Sequence, residues 1–218
     1  MSGASPQDRA RSELVEVARD IAAQGLSPGS SGNVSSRVGE LILMSRTGAR
    51  LAELTVDDLA AIDMAGEHVA GPPATKELPL HLALYRRDPA TASVIHLHSP
   101  YAVAASCLEP WSAASALAPL TPYFVMRVGS TPLVPYAHPG DPRQAAVVEA
   151  MPGRFRAALL QRHGSIVAGA DASSAAAAAI ELEEACRLKV LLAGVPHGIL
   201  SEDEALDLAE RYGSVWDG

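Results

Sequence analysis

Ser93-Val94-Ile95-His96-Leu97-His98-Ser99-Pro100 is the stretch on which the reading of the chain turns. Val94 and Ile95 are β-branched and lead directly into a His-Leu-His triplet, the composition of a strand. Side chains alternate across a strand, so His96 and His98 point to one face and Leu97 to the opposite layer. Two imidazoles side by side on a rigid strand are half of a metal site. The plainer reading is a pair of core or surface histidines that happen to alternate. Ser99-Pro100 then stops the strand and opens a helix running to about Cys107, with serine as cap and proline in the first turn.

Upstream of this strand, Leu14, Val17, Ala18 and Ile21 form a helical stripe within Asp8 to Gln24, closed by Gly25. Ser27-Pro28-Gly29-Ser30-Ser31-Gly32-Asn33-Val34-Ser35 is a polar loop entering a strand; its backbone N–H groups could cradle an anion, or it is a plain turn. Leu41 to Ser45 reads as a strand before a second polar loop, Arg46-Thr47-Gly48-Ala49-Arg50, and Ala61–Met64 with Glu67–Val69 as a hairpin across Ala65-Gly66. Thr75 reads as the N-cap of a helix that buries Leu80, Leu84 and Tyr85, with Glu77 at its positive end. Downstream, Tyr123–Val128 and Pro132–Pro135 are predicted as short strands, Gln144–Ala150 as a helix, and Arg154–Gln161 and Ile166–Ala168 as strands broken at Arg162-His163-Gly164. A long helix capped by Asp171 or Ser173 and a last one opened by Ser201-Glu202-Asp203-Glu204 complete the chain. No linker or repeat divides it, so residues 1–218 are expected to form a single domain.

Composition narrows the function classes. The net charge of −8, with no Lys/Arg cluster, argues against nucleic acid. Two cysteines, Cys107 and Cys186, do not make a disulfide scaffold and fit a reducing cytoplasm. The opening Met1–Arg11 is polar and lacks the apolar core of a signal peptide, and no apolar run reaches the roughly 18 residues of a membrane span. A third strand-end histidine, His163, would complete a His₃ set with His96 and His98; three imidazoles and an open fourth position suit a catalytic divalent ion. Spacing does not fold His163 onto the pair, and His68, His81, His138 and His197 read as surface or packing residues. A cupin barrel is disfavoured by the alternating helices, while a His₃ hydrolase or hydratase fits the chemistry.

Gly32-Asn33-Val34-Ser35, Arg46-Thr47-Gly48, Thr75-Lys76-Glu77, His96-Leu97-His98 and His163-Gly164, in this order and spacing, resemble the class II aldolase/adducin family, typified by fuculose-phosphate aldolase. The likeness runs from about Ala10 to Ala193. It implies an α/β fold, a three-layer α/β/α sandwich around a largely antiparallel sheet, assembled as a homotetramer with the active site at a subunit interface. It also implies a carbon–carbon lyase rather than a non-catalytic adducin-like domain, since adducin heads lack the metal histidines. The stretches from Thr75 to Tyr85, Pro119 to Gly129, Pro139 to Pro142 and Glu181 to Glu184 look like the subgroup that decarboxylates 3-oxo-tetronate 4-phosphates to dihydroxyacetone phosphate; sugar-phosphate aldolase is the alternative. The resemblance places a divalent metal, Zn²⁺ foremost, on His96, His98 and His163, where it would stabilise the enediolate left by C–C cleavage. It makes Glu77 the general acid/base and puts the phosphate on Asn33, Thr47, Gly48, Thr75 and Lys76. Arg46 replaces the proline usual in that loop, Arg162 is a cation beside His163, and Tyr123 and Tyr212 match the aldolase tyrosines only loosely.

Overall fold

The computed structural model describes residues 5–217, so the first four residues of the polar opening segment lie outside it. Eight strands form one sheet: β1 (Asn33–Val38), β2 (Leu41–Ser45), β3 (Leu59–Asp63), β4 (His68–Ala70), β5 (Ser93–Leu97), β6 (Leu133–Val134), β7 (Ala157–Leu160) and β8 (Gly164–Gly169). Their order is β4-β3-β2-β1-β5-β8-β7-β6, and every pairing is antiparallel except β6 with β7. The His-x-His strand, β5, therefore sits near the middle, between β1 and β8.

Helices cover both faces. On one lie α1 (Pro6–Ala23), α3 (Pro100–Ala105), α4 (Pro122–Arg127), α6 (Ala172–Leu191) and α7 (Glu202–Tyr212), packed on Val34, Leu43, Ile95, Leu97, Leu159 and Val167. On the other lie α2 (Leu78–Arg87) and α5 (Pro142–Ala150), packed on Ile42, Met44, Val94, Leu160 and Ile166. Strand periodicity sorts the two sets, since Val94 and His96 face α2 while Ile95 and Leu97 enter the opposite core. The expected three-layer sandwich with a largely antiparallel sheet is the observed one.

Three local expectations are corrected. Tyr123–Val128 is not a strand: its aromatic and β-branched residues lie mostly in α4, where the Thr121 hydroxyl accepts from Phe124 N and Pro122 occupies the first turn. Phe124, Val125 and Val128 then share one buried helical side. Thr75 does not cap α2 either. Its hydroxyl accepts from Glu77 N in a preceding turn, its own N–H pairs with Ser45 O, and Glu77 takes the N-cap position. Ser99 holds the cap position of α3, but its hydroxyl donates to Glu183 instead of capping the helix.

The ends of the central strands are pressed together by two glycines. At Gly164 (φ +151°) an added Cβ would lie 2.2 Å from Leu97 O, and at Gly32 (φ +82°) one would lie 2.9 Å from His96 O. Glycine alone lets the start of β8 and the loop before β1 close on the end of β5. Gly164→Ala is expected to destabilise the fold by on the order of 3 kcal/mol in chemical denaturation, through a backbone collision that cannot relax. A variant within about 1 kcal/mol of the parent would show that these strand ends separate freely.

Candidate active site

The strand ends deliver three imidazoles to one point. His96 and His98 come from the end of β5, and His163 from the β7–β8 turn, where Arg162 adopts a left-handed conformation (φ +59°) and His163 N bonds Leu160 O. The three rings meet edge to face with centroids 4.8, 4.9 and 4.6 Å apart. Glu77, at the N-cap of α2, reaches in from above. Its Oε2 is 3.2 Å from His96 Nε2 and its Oε1 3.3 Å from His163 Nε2. One ligand atom from each of the four residues lies within 4.8 Å of the others.

Hydrogen bonding fixes how these groups face one another. His96 Nδ1 donates to Ser165 O at 2.8 Å, which leaves the Nε2 lone pair aimed at His98 and Glu77. Asn33 Nδ2 donates to Glu77 Oε2 at 2.7 Å. Buried Glu77 Oε1 and both ring nitrogens of His163 have no hydrogen-bond partner. Orphaned polar atoms of this kind are rare in a folded interior, and a divalent ion between Glu77 Oε1 and His163 Nε2 would satisfy those two together. Neutral imidazoles plus one carboxylate are the donor set of zinc and related ions. The residues present fit such an ion.

Burial and charge set the protonation states. Burial pushes the Glu77 carboxyl up, but the adjoining His96, the hydrogen bond from the Asn33 amide and the nearby His163 hold it well below the usual carboxylate range. Burial and the neighbouring His96 depress His98 and His163 to about 4, and buried His81 to about 3, from an ordinary 6.5. The unfolded chain thus takes up protons at these rings before the folded one does. Stability is undiminished above the ordinary histidine range and falls as the pH drops through 6.5 toward about 4. Calorimetry of ion-free protein should show the melting temperature declining across that window; a flat profile would contradict buried neutral rings.

Beside the cluster opens a cavity of about 190 Å³ lined by Asn33, Thr47, Gly48, Thr75, Lys76 and Glu77, among others. All the residues expected to hold a phosphate are therefore at its wall, although Asn33 directs its amide at Glu77. Arg46 also lines it, but its guanidinium is ion-paired with Asp58 at 2.7 Å. Arg162 is exposed, and Tyr123 and Tyr212 are each 57% exposed and away from the cavity. His68, His138 and His197 are exposed, whereas His81 is wholly buried beneath Asn33. Sequence reading also missed Glu183, a buried acid of α6. It accepts from Ser99 Oγ at 2.6 Å and from Tyr101 N and Ala102 N at 2.8 Å, clamping the turn that follows His98. Its Glu-rich motif was visible, but its target lies 84 residues away.

Comparison with known proteins agrees with this geometry. Residues 12–190 match the family model for the Class II Aldolase and Adducin N-terminal domain. The chain is 37% identical over 206 residues to the 3-oxo-tetronate 4-phosphate decarboxylase of Pectobacterium atrosepticum, covering 94% of each chain. It is 28% identical to the L-fuculose phosphate aldolase of Escherichia coli K12, covering 92% of each. The solved structure of YgbL from Klebsiella pneumoniae superposes with a TM-score of 0.89 at 37% identity, covering 94% of this chain and all of that one. Fold, cluster and sequence likeness together place the chain in the class II aldolase/adducin family.

Proposed function

We propose that this carbon–carbon lyase is a metal-dependent decarboxylase that converts a 3-oxo-tetronate 4-phosphate to dihydroxyacetone phosphate and CO₂. The observation that carries the reading is the convergence of His96, His98, His163 and Glu77 beside a polar cavity, in a chain 37% identical to decarboxylases of that name. His96, His98 and His163 would hold the ion, with Zn²⁺ favoured by a set of three neutral imidazoles. A divalent ion there supplies Lewis acidity, stabilising the negative charge left when a C–C bond breaks.

The chain's own groups do the rest. Thr47, Gly48, Thr75 and Lys76 bind the phosphate through hydroxyls, backbone N–H groups and one cation, with Asn33 beside them. Bound in this way, the substrate is oriented with its carboxylate directed away from the anchored end. Breaking the C1–C2 bond releases CO₂ and leaves the electron pair at C2, which needs a proton. Glu77 Oε1, without a hydrogen-bond partner while Oε2 is tied to Asn33, is the atom that would hold that proton and return it to C2. A single enclosing unit of residues 1–218, assembled as a homotetramer in the cytoplasm, completes the proposal. Exposed Leu108, Trp111, Leu191, Val195 and Ile199 offer an apolar surface for assembly. Among the described residues both cysteines are unpaired, and no helix is long and apolar enough to cross a membrane.

The test is CO₂ release from a 3-oxo-tetronate 4-phosphate by zinc-loaded protein, with and without a chelator. Chelator-sensitive release of stoichiometric CO₂ is the expected result. No CO₂ but retro-aldol cleavage of a ketose phosphate would move the chain to the aldolases, which its 28% identity to a fuculose-phosphate enzyme makes the second reading. No bound ion and no turnover would leave the adducin-like, non-catalytic alternative.

A further inference from the structure

The polar seam beneath Glu77 is longer than catalysis requires. Glu77, His81 and Tyr85 stand at i, i+4 and i+8 along α2, one stripe of that helix, and face Asn33 and Ser35 at i and i+2 on β1. The contacts run in sequence: Asn33 Nδ2 to Glu77 Oε2 at 2.7 Å, His81 Nε2 to Asn33 Oδ1 at 2.6 Å, Ser35 Oγ to His81 Nδ1 at 2.8 Å and Tyr85 OH to Ser35 Oγ at 2.8 Å. No member is more than 8% exposed, and His81 and Ser35 are fully buried. This line penetrates a core otherwise built from residues such as Ile42, Met44, Leu84 and Val94. Five buried polar side chains in an apolar layer are expensive unless every donor finds an acceptor.

The direction of each bond follows from the chemistry of its end. An ionised carboxylate only accepts, so Asn33 must turn its NH₂ to Glu77 and its Oδ1 to His81. His81 must then carry its proton on Nε2, leaving Nδ1 to accept from the Ser35 hydroxyl, whose oxygen accepts from Tyr85 O–H. Each of the four bonds has one donor and one acceptor in this one arrangement. The line is not a proton wire, because an amide cannot relay a proton without giving up its planar amide form. It is a brace: each group fixes the orientation of the next, and the last one fixed is the carboxylate.

We propose that His81, held as the neutral Nε2–H tautomer by Ser35 and Tyr85, is a positioning residue that locks Asn33 and through it aims Glu77 at the reacting carbon. The proposal rests on the reading of Glu77 as the group that moves the proton. It also gives Asn33 a second task besides the phosphate, since one N–H is committed to Glu77 and the other remains for the cavity. Glutamine at position 81 can reproduce both bonds, donating from Nε2 to Asn33 and accepting at Oε1 from Ser35; leucine can reproduce neither.

The experiment compares His81→Leu, His81→Gln and Tyr85→Phe with the parent, all zinc-loaded, for kcat, KM and zinc affinity. It adds ¹⁵N spectra of histidine-labelled parent and crystal structures of the variants. The spectra should show one ring locked as Nε2–H. His81→Leu should lower kcat by about 10- to 100-fold, with KM and zinc affinity within about threefold and Glu77 displaced in the crystal. His81→Gln should recover most of that loss with Glu77 in place. If His81→Leu does not fold, Tyr85→Phe, which frees Ser35 at the far end, should still lower kcat severalfold. An Nδ1–H tautomer, an undisturbed kcat in both His81→Leu and Tyr85→Phe, or a glutamine variant as damaged as the leucine one would overturn the proposal. Should the parent turn over neither a keto-acid phosphate nor a ketose phosphate, the reaction reading fails. The tautomer and the position of Glu77 in the variants would still decide the brace.

Discussion

His96→Ala is expected to remove both the bound ion and the turnover that depends on it. His96 is fully buried, its Nε2 lies 2.9 Å from His98 Nε2 and 3.2 Å from Glu77 Oε2, and its tautomer is set by Ser165 O. It is thus the best oriented of the three imidazoles, and its loss leaves two nitrogens and no closed set. Zinc content by elemental analysis should fall from one per chain to near zero. The specificity constant should drop by about a thousandfold or more, on the order of 4 kcal/mol of barrier. Because the alanine also opens a cavity, circular dichroism must show a folded variant; the half-buried His98→Ala offers a gentler version of the same loss. Retention of stoichiometric zinc with full activity would remove the three-histidine site from the mechanism.

The second large effect is expected at Glu77→Gln. Glutamine keeps the shape of the side chain and can still accept from Asn33, but it cannot hold and return a proton. General acid/base groups contribute about 10²- to 10⁴-fold, so kcat should fall by roughly that range with KM little changed. Zinc affinity should change by less than about tenfold, since the three imidazoles remain. The native carboxylate is held ionised at rest, with burial overcome by His96, Asn33 and His163, so in the proposed reaction it would have to take up a proton from solvent before returning it to C2. Turnover within threefold of the parent would assign the proton to another group or to water.

How far these sites could be seen in advance differs from residue to residue. His96 and His98 were legible because strand alternation is a strictly local rule: the strand is observed as far as Leu97, and the two rings lie on one side of it although His98 is the residue just past its end. The helix over Asp8 to Gln24 and the capping box at Ser201 were legible for the same reason, because the interacting atoms lie within a turn of one another. Tyr123–Val128 misled because aromatic and β-branched residues suit a strand, while Thr121 and Pro122 outweighed that preference by starting a helix. Glu183 and His81 were opaque for another reason. Each carries an ordinary helical address, and its partner lies in a distant element.

The order of motifs along the chain was enough to establish the family, the layered α/β fold and the kinds of side chain that chemistry would use. Convergence was another matter. His163 meets His96 and His98 because Gly164 lets β8 close on Leu97 O, Glu77 enters because α2 starts two residues later than Thr75 promised, and the Asn33 amide is held toward Glu77 by His81, which Ser35 bonds in turn. Local propensity acts over a few residues and is written in the sequence directly; side chains from β1, α2, β5 and the β7–β8 turn share one site only once the whole sheet has closed.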